Sequence, residues 1–579
     1  MRKALVLLLV LACAGCAAIP TTGPVQVEPR QTSGAAPGGV QIIGNKPPQG
    51  ASPGQIIQGF LAAMSSFEPG FETARSYLTA AAAQAWQPES QVLIYASGTT
   101  PRVNDDQVTM SAAMVGVIGP DGSFGAAGNS TWTFDFQLVQ ENGEWRISHP
   151  PAGLAMSQYM FSQAFSRVEA YFFADAGAIM VPDSRYVQLG AWDATAAARL
   201  VMDGPSGWLA PVIDSTFRQG LALAGDVSVD ALGVARVPLA WTASLTTAQA
   251  SRLALELAAT MRGVPGVIRI QLTRNNAVVT LDPSVGALAD SSMPVSATTV
   301  YDPTQPGAGG PLYVAAESGI SALDGLTPAA LGAPWGNATP GIVSFAVSRD
   351  GAQIAAETAD GLVFGPVAGR EPSLVLDRPD LLRPEFDASG QLWLMANGDD
   401  GAEVWAVVAG QVIELAATAL AGRTVLSFAM SPDGRRLLVL SRPLGSGDDV
   451  PTQVGLALIR YDGQVPAEVT AWRQLDTTFQ GMAVSAVADL AWMGPTSILL
   501  LGSTQAGRPP EIFSGDMEWL NVDEWGNPAE WTVQAVSANP GRNAQQVAVL
   551  DASGEVWIYQ SSRNWTVTAL RYLALAYPA

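Results

Sequence analysis

Apolar residues at Ile56, Ile57, Phe60, Leu61 and Met64 recur at helical spacing, and after Pro69-Gly70 a second stripe follows at Phe71, Ala74, Tyr77 and Leu78. Two successive helices are predicted. The pattern then shifts to strands in "QVLIYAS", "QVTMSAAMVGVIG" and "STWTFDFQLVQENGEWRIS", with a hairpin at Glu141-Asn142-Gly143. Helices followed by an antiparallel sheet describe a small α+β domain over 51–150, closed by Pro150-Pro151. A second α+β domain, 165–285, opens on "VEAYFFADAGAIMVPDSRYV" and continues through a helix stopped at Asp203-Gly204-Pro205. It also holds two short strands in "GDVSVDALGVARVPL" and a helix entered near Thr246 or Thr247, with Leu253, Leu257 and Met261 on one side. A turn at Gly263 to Gly266 and a strand pair complete it.

Beyond Ser296 the helical signals fade and a loose repeat replaces them. "FAVSRDGAQIAAET", "FDASGQLWLM", "FAMSPDGRRLLVL", "LAWMGPTSILLLG" and "VAVLDASGEVWIYQ" each join two apolar strands by a small polar or Gly/Pro turn. With "PLYVAAESGISAL" about six such units fill 296–579, which suits four-stranded blades of roughly 40 to 50 residues. The fold class expected is therefore multidomain: two small α+β domains followed by an all-β propeller of about six blades.

The other end of the chain is built differently. Arg2 and Lys3 precede an apolar run from Ala4 to Ala12, the length of a signal-peptide core and about half of what a membrane span needs. Both cysteines of the 579-residue chain, Cys13 and Cys16, lie just after it. Small residues before a cysteine at this place form a lipobox, where the thiol is acylated and the chain cleaved. Either cysteine could be the one modified, and the Ala14-Gly15 pair favours Cys16. The segments expected are a signal peptide over 1–15 and a Pro/Gly-rich tether over 16–50, which spaces the first domain roughly 30 Å from the membrane as a coil. Such a protein is held on the extracytoplasmic face by membrane lipid through its acylated cysteine. With one cysteine left and that one lipidated, stability must come from buried cores.

Charge and residue inventory narrow the function. A formal net charge of -21, with Lys3 and Lys46 as the only lysines, leaves no basic stripe for nucleic acid. His149 is the one histidine and stands at a strand end before two prolines, so no catalytic partner for it is legible. "GASPG", Gly50 to Gly54, matches G-x-S-x-G but sits in the linker, not at a strand-to-helix elbow. No Cys/His cluster supports zinc, and neither "NGDDGAE" nor Asp448-Asp449 has EF-hand spacing. No enzyme activity, metal or cofactor is expected. Candidate partner-binding residues are Trp519, Trp525 and Trp531 in "MEWLNVDEWGNPAEW", with packing between blades as the alternative. The insert from Ser441 to Gln453 is a candidate exposed loop.

The order of parts, together with "GCAAIPTTGPVQ", "GEWRISHPPAGL" and "YFFADAGAIMVPDSRYV", resembles the LpqB family of actinobacterial lipoproteins. "LVMDGPSGWLAPVIDSTF" is similar to the core of a GerMN domain. Two positions depart from the pattern: Cys13 in place of the usual lipobox Leu, and His149 where an acidic residue is more typical. The resemblance implies a cell-envelope accessory of the MtrA-MtrB two-component system that binds the extracytoplasmic region of the sensor histidine kinase and adjusts cell-wall and division signalling. The alternative from another class is a cell-wall glycan-binding module or envelope hydrolase that uses the propeller face.

Overall fold

The computed structural model describes residues 44–578, apart from 67, 105–106, 129, 175–178, 215–217, 242–244, 303–309, 338–340, 388, 480, 506, 529–531, 541–545 and 562–563. Its first helix, Pro53–Ala63, starts where the sequence supplies a capping box: the Ser52 hydroxyl accepts from the Gln55 amide, and the Gln55 side chain accepts from the Ser52 amide. Ser52 of "GASPG" is thus a helix cap. Ile56, Ile57, Phe60 and Ala63 face inward from this helix. The second helix expected over 71–78 is a single turn, Glu72–Arg75. Gly70 and Phe71 carry positive φ, and the backbone of Tyr77 and Thr79 pairs with Ile147 instead of continuing the helix. Thr79 then caps a further short helix, Ala80–Ala85.

These helices cover a sheet in the strand order Glu144–His149, Thr131–Glu141, Gln107–Ile118, Val92–Tyr95, Leu154–Ser157. The hairpin at Glu141 to Glu144 turns through Asn142 and Gly143, both at positive φ, as an Asn-Gly pair favours. Next comes a long two-stranded hairpin, Phe165–Phe173 with Met180–Gln188. It leads into a second core in which helices Ala194–Asp203 and Thr247–Met261 pack on a sheet built around Val234–Trp241 and Arg269–Arg274. Those two strands are parallel, and the Thr247–Met261 helix makes the crossover between them. Inside this core Glu256 is fully buried, paired with Arg218, and accepts the Phe173 amide at 2.9 Å.

Among the described residues from Leu312 onward there are six four-stranded antiparallel sheets and one small two-stranded pair, Thr478–Phe479 with Met482–Ala483. Blades 2 to 6 begin at Ser344, Glu385, Arg423, Ser485 and Val533, each running from its innermost strand outward. Blade 1 is shared between distant parts of the chain: Ala574–Ala576 pairs antiparallel with Tyr313–Ala316 and supplies the innermost strand. Main-chain hydrogen bonds thereby close the ring and leave no open edge between first and last blades.

The polar turns between successive strands of a blade come in two forms. In blades 3 and 6 an aspartate leads: Asp387 accepts from the Ser389 amide and hydroxyl, the Gln391 amide and Trp393 Nε1, and Asp551 repeats this with Ser553, Glu555 and Trp557. In blades 2 and 4 a serine leads: Ser348 and Ser431 donate to Asp350 and Asp433, which accept the amides of Ala352 and Arg435. Asp387 is 1% exposed and also accepts the Tyr461 hydroxyl at 3.2 Å. Replacing Asp387 by Ala strands several buried donors, so the variant is expected to lose about 3 kcal/mol of stability. Urea unfolding followed by tryptophan fluorescence measures the loss.

Candidate functional site

The positions singled out in the sequence divide into three groups. Cys13, Cys16 and Trp531 lie outside the described residues. Trp519 and Trp525 are inside the protein, 2% and 7% exposed, so neither ring offers the free surface expected of a binding anchor. Trp519 takes a positive φ of 58° and turns its ring into the core of blades 4 and 5. That position exists only because residue 515 is glycine: a Cβ there would lie 2.6 Å from the ring. Trp525 stacks on Tyr559 at 4.5 Å between blades 5 and 6, with Trp565 beside it. His149 is exposed and lies parallel to the Phe134 ring at 6.0 Å. Asp399 and Asp400 form the tight turn between two strands of blade 3, and Glu403 pairs with Arg378. No group of three or more metal-ligating side chains occurs among the described residues. In the insert expected to be a loop, residues 444–452 join two strands of blade 4.

Two places concentrate chemistry that the sequence pattern does not reveal. The first is a junction where the α+β units meet the propeller, and the hairpin of 165–188 lies at its centre. Toward the N-terminal sheet, the Tyr186 amide donates to Gly122 O at 2.8 Å and Arg185 donates to Asp121 O at 2.8 Å. Toward blade 5, Arg167 contacts Glu518 at 3.2 Å and Glu169 at 3.0 Å, donates to Ser184 at 2.7 Å and reaches Thr496. Trp208 bridges to blade 4, donating to Ala471 O at 3.3 Å under the Arg473 guanidinium, 4.2 Å above its ring. Leu520 reaches from blade 5 into the N-terminal core. Burial pushes the Glu169 carboxyl up to about 7 although Arg167 opposes the rise, and burial also raises Glu518.

The second place is the propeller axis. All six inner strands contribute to one cavity, lined by Phe345, Phe386, Met430, Trp492, Val536 and Leu575 among others. It is narrow, about 50 Å³, room for a few waters. Arg383 is one of its lining residues and crosses from blade 3 to Asp489 of blade 5 at 3.1 Å and to Val536 O of blade 6 at 3.4 Å. Asp489 also accepts from Ser427 of blade 4 and from the Val536 amide. One side chain thus ties four blades together. Glu385 pairs with Arg383 at 3.3 Å and is the sole carboxylate among the described lining residues; burial pushes it up to about 7.

Residues 46–162 match the family model described as the N-terminal domain of lipoprotein LpqB, and 319–571 match that of the lipoprotein LpqB beta-propeller domain. The chain belongs to the LpqB lipoprotein family. A lipoprotein LpqB of Cutibacterium acnes is 28% identical, covering 97% of each chain. One of Streptomyces avermitilis is 26% identical over 94% of this chain and 93% of its own length, and one of Mycobacterium bovis 25% over 93% and 92%. Among solved structures, a nidogen/laminin complex aligns with 46% of this chain and 98% of that one, at 11% identity and a TM-score of 0.34. TolB from Acinetobacter baumannii aligns over 55% and 85%, at 14% and 0.32. Likenesses this weak carry no argument here. The family is one of lipoproteins with a propeller domain, and among the described residues no helix is long and apolar enough to cross a membrane.

The raised carboxyls dictate a pH response. A carboxyl whose value rises from 4.5 in the unfolded chain to about 7 in the fold holds its proton more tightly when folded, so it favours folding at low pH. That stability is lost as pH climbs through the interval. The opposite sign holds for Asp350, kept low by the Ser348 hydroxyl, whose contribution disappears as pH falls. Between pH 5 and 7 the melting temperature is expected to fall, and Glu169→Gln and Glu385→Gln should each flatten the slope by on the order of 1 kcal/mol. Calorimetry across that range checks both.

Proposed function

We propose that this protein is a lipid-anchored accessory of the cell envelope that binds the extracytoplasmic region of a membrane sensor histidine kinase and alters its signalling. In this reading Cys16 carries the lipid on the extracytoplasmic face, 16–50 is the tether, and 165–285 is a GerMN-like unit between the two matched domains. Membership in a lipoprotein family, along nearly the full length of relatives from three actinobacterial genera, is the observation that carries it. The structure adds support of a second kind. Its concentrated charges, at Arg167-Glu169-Glu518 and Arg383-Glu385-Asp489, hold units and blades together, which is what a rigid binding scaffold needs. A hydrolytic site on the propeller gains no such support, because glycoside hydrolysis uses two carboxylates about 5 to 9 Å apart and the axial cavity is lined by one.

Modulation requires different affinities for the signalling states of the kinase; equal affinity would shift nothing. Crosslinking in living cells that carry a tagged chain tests the reading. A histidine kinase should be captured selectively, and Cys16→Ala should cut that capture at least fivefold by releasing the body from the membrane. Capture of wall polymer or wall enzymes with no kinase would overturn it.

A further inference from the structure

We infer that the axial cavity of the propeller is a binding site for a carboxylate on a narrow, unbranched stem, with Arg349 as its anchor. Arg349 lies in the turn after the inner strand of blade 2 and lines the cavity, half-buried. Its guanidinium has no acceptor or carboxylate partner among the described residues, whereas the other arginine of the lining, Arg383, is fully engaged by Glu385, Asp489 and backbone carbonyls. The neighbouring Asp350 is not a counter-ion: it accepts the Ser348 hydroxyl at 2.6 Å and the Ala352 amide at 3.0 Å within the turn.

Comparison of equivalent turns within the chain separates function from fold. Ser348-Arg349-Asp350-Gly351 and Ser431-Pro432-Asp433-Gly434 make the same serine-to-aspartate bond at corresponding places in blades 2 and 4, and both second residues line the cavity. One is Arg and the other Pro, so the turn makes no demand for a cation. A half-buried guanidinium without a counter-ion is unfavourable, and desolvation lowers its proton affinity accordingly. The fold gains nothing from it, and a ligand would.

What the ligand looks like follows from the walls. A guanidinium fork matches a carboxylate through two parallel hydrogen bonds. Tyr577, also in the lining, has a hydroxyl without a partner among the described residues and offers a further donor. Phe345, Phe386, Trp492 and Val536 would receive an apolar stem, and the narrowness of the space excludes branched or bulky groups. Such a carboxylate could be a free small acid or a glutamate side chain on a partner's loop.

Thermal melting of the full chain, with sodium propionate against sodium chloride at matched ionic strength, tests the site, alongside a short neutral-capped peptide bearing one glutamate. Saturable stabilisation by propionate supports the site in either case; stabilisation by the peptide at lower concentration identifies the source as a protein loop. Arg349→Gln should melt at or above the wild-type temperature without ligand and weaken apparent affinity at least tenfold, while Arg370→Gln, at an exposed position, should match wild type. Three results would overturn the inference: no saturable shift with either probe, an unchanged response in Arg349→Gln, or a marked drop in its ligand-free melting temperature, which would make Arg349 structural.

Discussion

One partly buried ionic contact, Arg167 between Glu169 of its own hairpin and Glu518 of the propeller, sets the register between the folded parts. Burying charges is unfavourable unless each finds its complement, and removing a single partner leaves an uncompensated charge behind. The contact therefore acts as a registry constraint: the hairpin can lie against blade 5 only where Arg167 meets both carboxylates and the Ser184 hydroxyl closes the group. The same two strands carry Arg185 and Tyr186, which fasten the Asp121-Gly122 turn of the N-terminal sheet. A side chain at Gly122 would stand 3.0 Å from the Tyr186 carbonyl oxygen, so that turn approaches as closely as it does because it has none.

The propeller solves a related problem with the same residue types. Its blades are held laterally by apolar clusters and axially by Arg383, while closure comes from main-chain pairing of the final strand with blade 1. Arginine suits both junctions because its planar fork presents several donors in a fixed geometry, where a lysine ammonium is a compact point charge on a flexible stem. The near-absence of lysine has this structural counterpart. Arg436, fully buried, pairs with Asp433 and donates to Pro495 O across the gap from blade 4 to blade 5.

Much of this architecture was legible in the sequence because it is local. The helix entry at Thr246, which caps with Gln249 three residues on, and the Asn142-Gly143 turn are both local signals, whereas Ser52, placed in the linker by its Pro-rich surroundings, proves to be a helix cap with Gln55. The repeated polar turns announced the blades for the same reason. Packing between blades was one of two readings open for Trp519; what was not legible is the face its ring takes after a left-handed residue, in a space that depends on Gly515. The short second helix failed because Tyr77 and Thr79 bond to Ile147, about 70 residues away. Nor could the junction be read: Arg167 and Thr496 are 329 positions apart. Arg349 was invisible among many arginines until its surroundings placed it in a cavity without a counter-ion.

The contacts described join the α+β units and the propeller into one rigid body. The chain favours a direct test, because its only cysteines are Cys13 and Cys16 and a form lacking both accepts spin labels cleanly. Labels at Val139→Cys on the N-terminal sheet and Val412→Cys on blade 3, both exposed positions, report their separation by pulsed electron resonance. A single narrow distance distribution is expected of one rigid body. A broad or multimodal one would show units moving independently and would contradict it.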